Sequence, residues 1–150
     1  MGVEIGTLFV RRSCLIMATP AQVWREFTSL ERAAAWLGRG QILETWEPRL
    51  GGRVRISVDV DGDRRYCGGR VQSFDVASEL SFAHNWETDA WIVSTFITVR
   101  LRPLYDGALV ELFHHGFERL GAAAGVQHAA YERSLDLQHL LALKHIVEAD

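Results

Sequence analysis

Two of the six histidines in this 150-residue chain, His84 and His114, stand where a side chain could move a proton. Each closes an alternating apolar run, Leu80, Phe82, His84 and Val110, Leu112, His114. In extended chain each therefore projects to the same side as its hydrophobic neighbours, close to a strand end where a pocket would open. Together with the phenol of Tyr131 they could exchange a proton with a bound carbonyl or phenol. The same placement suits histidines that only orient a ligand, or that are buried and satisfied by hydrogen bonds.

Other combinations point away from chemistry. His114 and His115 are neighbours on a strand, so their side chains diverge and cannot share one ion. His128 and Glu132 are one helical turn apart, but His139 on nearly the same stripe lies too far along the axis to join them, and a solvated face is the expected role. No metal site is expected. Cys14 and Cys67 fall in strands as small thiols, and no Gly-x-Ser-x-Gly elbow is present. Gly38-Arg39-Gly40 lacks the third glycine of a dinucleotide fingerprint, and Gly51-Gly52 lies between strands without a helix N-terminus to offer. No cofactor is expected.

The elements that must position these residues follow from periodicity. A strand is expected over 8–17, then a helix that Thr19 caps, with Pro20 at its first position and Gln22 three residues on as a partial capping box. A second short helix covers 30–37 and ends at Gly38. Strands follow over 42–46, 53–60, 64–74, 80–86, 91–101 and 108–115. Asp61-Gly62 marks a hairpin, and Pro103 to Gly107 a turn. Gly68-Gly69 permits a bend or a close approach by a helix. The stretch 125–149 reads as one C-terminal helix with apolar residues on two arcs: Val126, Ala129, Ala130, Leu137, Leu140, Leu141 and Val147 on one, Tyr131, Leu135 and Ile146 on the other.

The class expected is α+β: a curved antiparallel sheet of about six or seven strands wrapped around a long C-terminal helix, with two short helices after the first strand. Facing positions in that arrangement would line an internal pocket. The candidates are Trp36, Trp46, Ile56, Val58, Gly69, Phe82, His84, Trp91, Thr95, His114, Tyr131 and Leu135. Such an apolar, aromatic wall suits a hydrophobic ring-containing ligand held by one or two hydrogen bonds, and equally suits an ordinary core.

Composition narrows the partners. Sixteen basic and nineteen acidic residues leave a net charge of −3 without long runs of one sign, so neither nucleic acid nor an anionic membrane is an expected partner. Two cysteines are too few for a disulfide framework. No apolar run approaches the roughly 18 residues of a membrane span. One domain over residues 1–150, without a signal peptide and in the cytoplasm, fits these features, and a homodimer is compatible with them.

The order of elements resembles the helix-grip fold of the START-related and birch-pollen-allergen-like proteins, the SRPBCC superfamily. Within it, Ala18-Thr19-Pro20-Ala21-Gln22-Val23-Trp24, Trp36, Pro48-Arg49-Leu50-Gly51-Gly52-Arg53, Gly69-Arg70-Val71, Leu80-Ser81-Phe82 and His114-His115-Gly116-Phe117 are similar to the branch named after the activator of heat-shock-protein ATPase. These runs span almost the whole chain. One departure is Ala130-Tyr131-Glu132, where the branch carries Gly-Trp-Glu, which replaces an indole donor by a phenol that donates or accepts. The resemblance implies the fold. For function it implies a family of pockets that serve lipid carriers, sensors, polyketide cyclases and chaperone-binding modules. Three activities are therefore expected to compete: binding of a hydrophobic or aromatic small molecule, a cofactor-independent cyclase, dehydratase or hydrolase on the same pocket, and a chaperone-interacting module.

Overall fold

A computed structural model describes residues 2–135 and 137–149. It contains β1 (Phe9–Ile16), α1 (Pro20–Trp24), α2 (Leu30–Leu37), β2 (Ile42–Trp46), β3 (Arg53–Val60), β4 (Asp63–Asp75), β5 (Glu79–Trp86), β6 (Thr95–Leu104), β7 (Gly107–His115), α3 (Ala124–Ser134) and α4 (Gln138–Glu148). The strands form one seven-stranded sheet in the order β1-β7-β6-β5-β4-β3-β2, antiparallel throughout. Strands β2 to β7 are a meander, whereas β1 joins the β7 edge. The α1–α2 pair therefore carries the chain from one edge of the sheet to the other. This is the α+β helix-grip architecture that the sequence leads one to expect.

Local chemistry explains the junctions. Thr19 accepts the Gln22 amide at 3.1 Å while the Gln22 side chain accepts the Thr19 amide at 2.8 Å, so α1 starts on a complete capping box. At the β3–β4 hairpin, Asp61 and Gly62 both have positive φ, 51° and 88°, as a tight turn that matches strand twist requires. The bare backbone at Gly68 serves a different neighbour from the one expected. Its φ is +133°, and a Cβ there would run into the carbonyl of Val54 on β3, so a strand rather than a helix makes the close approach.

The inner face of the sheet supplies Val54, Ile56, Val71, Leu80, Phe82, Val99, Leu101, Val110 and Leu112, which pack with Leu140, Leu143 and Val147 of α4 in one core cluster. Each such side chain is worth about 1.5–3 kcal/mol when removed from water, so α4 is held firmly.

Two expected boundaries move. Residues 91–94 are not strand: the Asn85 side chain accepts the Trp91 amide at 2.9 Å and donates to the Trp91 carbonyl at 3.1 Å, so it takes the place of a ladder partner and β6 begins at Thr95. The turn after β6 is tighter than expected, with Pro103 and Leu104 still paired and Tyr105 at φ 53°. The C-terminal helical segment covers the expected stretch in two legs, because Leu135 is extended, with φ −76° and ψ 104°. A straight rod cannot bury apolar arcs on opposite sides against one sheet. The break lets α4 seat its leucines while α3 turns Tyr131 towards the sheet. Arg12 of β1 donates to the carbonyls of Glu132 at 2.9 Å and Leu135 at 3.0 Å, satisfying acceptors that the end of α3 leaves open.

Candidate functional site

At the β7 side of the sheet, strand ends and α3 bring together a cluster of rings. The last turns of β5 place His84 and Trp86, β6 opens with Thr95, and β7 closes with His114. The 3-10 segment Phe117–Ala123 adds Phe117, α3 adds Tyr131, and the 87–94 loop adds Trp91. His114 lies 4.3 Å from Tyr131 and 4.8 Å from His84 by ring centroid, and Phe117 lies 4.5 Å from His114. Trp91 lies 5.7 Å from His84 and 6.2 Å from Tyr131.

Hydrogen bonds order this cluster. Trp86 Nε1 donates to Tyr131 Oη at 3.2 Å, and the phenol keeps its own proton for His84 Nε2 at 3.0 Å. The His84 proton is therefore assigned to Nδ1. Thr95 Oγ1 donates to the His84 carbonyl at 3.4 Å, which leaves it to accept from His114 Nε2 at 2.7 Å. Burial sets the ionisation states. Desolvation lowers His84 to about 4, and lowers His114 well below the usual imidazole range with further help from His84 and His115. Burial raises the Tyr131 phenol, opposed in part by the Trp86 hydrogen bond. At neutral pH all three groups are uncharged, which fits them to donate and accept hydrogen bonds and makes the imidazoles weak proton acceptors.

The expected site residues divide in two. His84, His114, Tyr131, Trp91 and Thr95 converge as just described. Trp36 belongs to a second ring cluster with Trp24 and Phe27, and the indole N–H groups of Trp36 and Trp46 are spent on the backbone carbonyls of Glu26 at 3.1 Å and Phe27 at 2.7 Å. Phe82 makes an edge contact with Trp46 at 6.4 Å. Ile56, Val58 and Gly69 lie on the inner face of β3 and β4, and Leu135 marks the break after α3.

Sequence reasoning missed Trp86 and Phe117. Trp86 carries a readable signal, since it has the same strand parity as His84. Phe117 carries none, because its place depends on the left-handed Gly116 at φ 87°.

His128 of α3 and His139 of α4 are less solvated than expected. His128 meets the Phe9 carbonyl at 2.9 Å, and His139 the Trp36 carbonyl at 3.1 Å. His114 and His115 do diverge to opposite faces, yet both are buried. Burial pushes the Cys67 thiol up to about 12, so it is no nucleophile at neutral pH. Two open grooves, of about 630 and 400 Å3, lie on the outer face of the sheet, away from the ring cluster. Between α3 and the sheet, the rings themselves are in contact. No helix among the described residues is long and apolar enough to cross a membrane.

Comparison with known proteins extends this picture. Residues 17–142 match the family described as activator of Hsp90 ATPase homolog 1-like protein. Among solved structures, a Rhodobacter sphaeroides protein superposes with a TM-score of 0.73 at 22% identity, over 97% of this chain and 98% of that one. Protein CV1439 from Chromobacterium violaceum gives 0.71 at 21% identity, over 95% and 98%. DynU16, a protein of the dynemicin biosynthetic locus, gives 0.64 at 19% identity, over 95% of this chain but 48% of its own. No protein of curated function matches the sequence.

Proposed function

The chain belongs to the activator of Hsp90 ATPase homolog 1-like family, and from that premise we propose that it binds an apolar, ring-containing small molecule between its sheet and α3. The observation that carries this reading is the hydrogen-bonded set Tyr131, His84 and Trp86, which sits inside a ring cluster and is closed by a helix with no fully buried residue. A ligand enters by lifting α3, replaces contacts between rings with its own, and takes over the hydrogen bond that Tyr131 now gives to His84. Rings that already meet edge-on or tilted, with centroids 4.3 to 6.2 Å apart, offer an edge-to-face geometry that aromatic ligands also adopt. Two neutral imidazoles of low basicity favour holding a carbonyl or hydroxyl over removing a proton from it, which weighs against the cyclase or hydrolase alternative.

The test is a titration of the full chain with 1-naphthol, followed by tryptophan fluorescence and thermal melting. Saturable binding should raise the melting temperature, since a ligand at a hundred times its Kd stabilises by about 2.7 kcal/mol. Trp91→Ala should weaken binding, while Leu50→Ala, at an exposed turn, should not. Absence of saturation, or equal affinity in the Trp91 variant, would count against the site.

A further inference from the structure

The larger groove, about 630 Å3, opens on the outer face of the sheet and is independent of the ring cluster. Its floor is Gly68, which takes an outward position on β4 opposite Arg55 of β3 and Asn85 of β5. The left-handed backbone and the Val54 carbonyl together keep that position free of any side chain. The walls are charged: Arg53, Arg55 and Arg70 against Glu47 and Glu87.

The carboxylates are already engaged. Glu87 grips Arg55 through two bonds of 2.7 and 2.9 Å, and that guanidinium also lies 3.9 Å over the Tyr66 ring. Glu47 accepts the backbone amide of Arg53 at 2.8 Å and faces Arg49 at 3.7 Å. What remains are two guanidiniums. Arg70 gives one nitrogen to the Gly51 carbonyl at 3.2 Å, and Arg53 has no ion pair within 4 Å among the described residues. The two are direct cross-strand partners, Arg53 opposite Arg70. Like charges placed so in an antiparallel ladder repel one another, and an anion between them reverses the sign of that interaction.

We propose that this groove binds a doubly charged oxyanion, a phosphate monoester or a dicarboxylate, with the guanidiniums of Arg53 and Arg70 on its oxygens and the bare Gly68 backbone beneath. Guanidinium forks match carboxylate and phosphate edges with paired hydrogen bonds, which a lysine pair would not do. Because the Val54 carbonyl and the backbone conformation hold this position to glycine, the strand beneath the two guanidiniums carries no side chain of its own at Gly68.

The experiment is an amide NMR titration of the full chain with inorganic phosphate and, separately, with malonate, sodium chloride holding ionic strength constant. Either anion should give saturable shifts centred on Gly68, Gly69 and Arg70, and the tighter one identifies the source. Arg53→Gln and Arg70→Gln, both at exposed positions, should each weaken binding by about tenfold, the loss of one paired charged contact. Arg102→Gln, on the other outer groove, should leave it unchanged. Shifts that fail to saturate with both anions, that spread over the whole surface, or that persist in the Arg53 and Arg70 variants overturn the proposal.

Discussion

At the scale of single residues, the ring cluster is a set of neutral hydrogen-bonding groups held so by burial. His84 binds a proton less readily in the folded chain, near 4, than its ordinary value of 6.5. Its contribution to stability is thus complete above about pH 6.5 and is lost as the pH falls towards 4, because the unfolded chain takes up the proton first. At about 1.4 kcal/mol per tenfold change in proton affinity, His84 alone accounts for on the order of 3 kcal/mol across that window. His114 acts in the same direction. Urea denaturation between pH 7.5 and 4.5 should show this fall, and His84→Gln should flatten it; a profile that stays level in the parent chain contradicts the assignment. Tyr131→Phe leaves Trp86 Nε1 and His84 Nε2 without their partner, and should cost about 1–3 kcal/mol at neutral pH in the same assay.

At the scale of elements, the two legs of the C-terminal segment differ in what holds them. Leucines 140 and 143 of α4 are completely buried, whereas no residue of α3 is. Helix α3 depends on Tyr131, on His128 at the Phe9 carbonyl, and on Arg12, which also meets Glu132 at 3.3 Å. Amide exchange followed by mass spectrometry should therefore find 124–134 exchanging well before 138–148, and Arg12→Ala should widen the gap by about 1 kcal/mol in opening free energy. Equal protection of the two legs would remove the basis for α3 as the entrance. The periodicity of apolar residues located this helical stretch correctly. It could not reveal the break at Leu135, because a helix ends there for tertiary reasons: opposed apolar arcs, and an arginine from β1 ready to take the freed carbonyls. The start of β6 was illegible for a similar reason, since Trp91 to Val93 read as strand until the Asn85 side chain is seen to hold them as a loop.

At the scale of the whole molecule, the outer face of the sheet is not simply wet. The segment 2–8 crosses it: the Val3 amide donates to Glu79 at 3.0 and 3.3 Å, Arg100 donates to the Val3 carbonyl, and the Thr7 and Leu8 amides reach Glu118 at 3.3 and 3.1 Å. Beneath it runs a buried polar chain in which Ser81 meets Thr98 at 2.8 Å and Thr98 meets His115 Nε2 at 2.6 Å. Burial lowers His115 to about 4 and the Arg100 charge adds to this, while a hydrogen bond with the Ile5 backbone opposes it in part. Removing residues 2–7 should let the His115 ionisation climb towards the ordinary imidazole range in an NMR titration as its burial is relieved, and should cost on the order of 2 kcal/mol of stability as Glu79 loses the Val3 amide. An unchanged His115 would mean that the strands alone bury it.

The amino-acid sequence by itself determined the order of strands and helices, the capped start of α1, the Asp61-Gly62 hairpin, and the parity that turns His84 and His114 inward. These depend on alternation, capping and backbone preference within a few residues. Tertiary structure alone decided that Tyr131 reaches His84 and Trp86 while Trp36 and Trp46 spend their indole donors elsewhere, and that Arg53 and Arg70 are direct cross-strand partners beside a bare glycine. Such meetings join residues tens of positions apart through register, helix breaks and burial, and no local pattern encodes the distance between them.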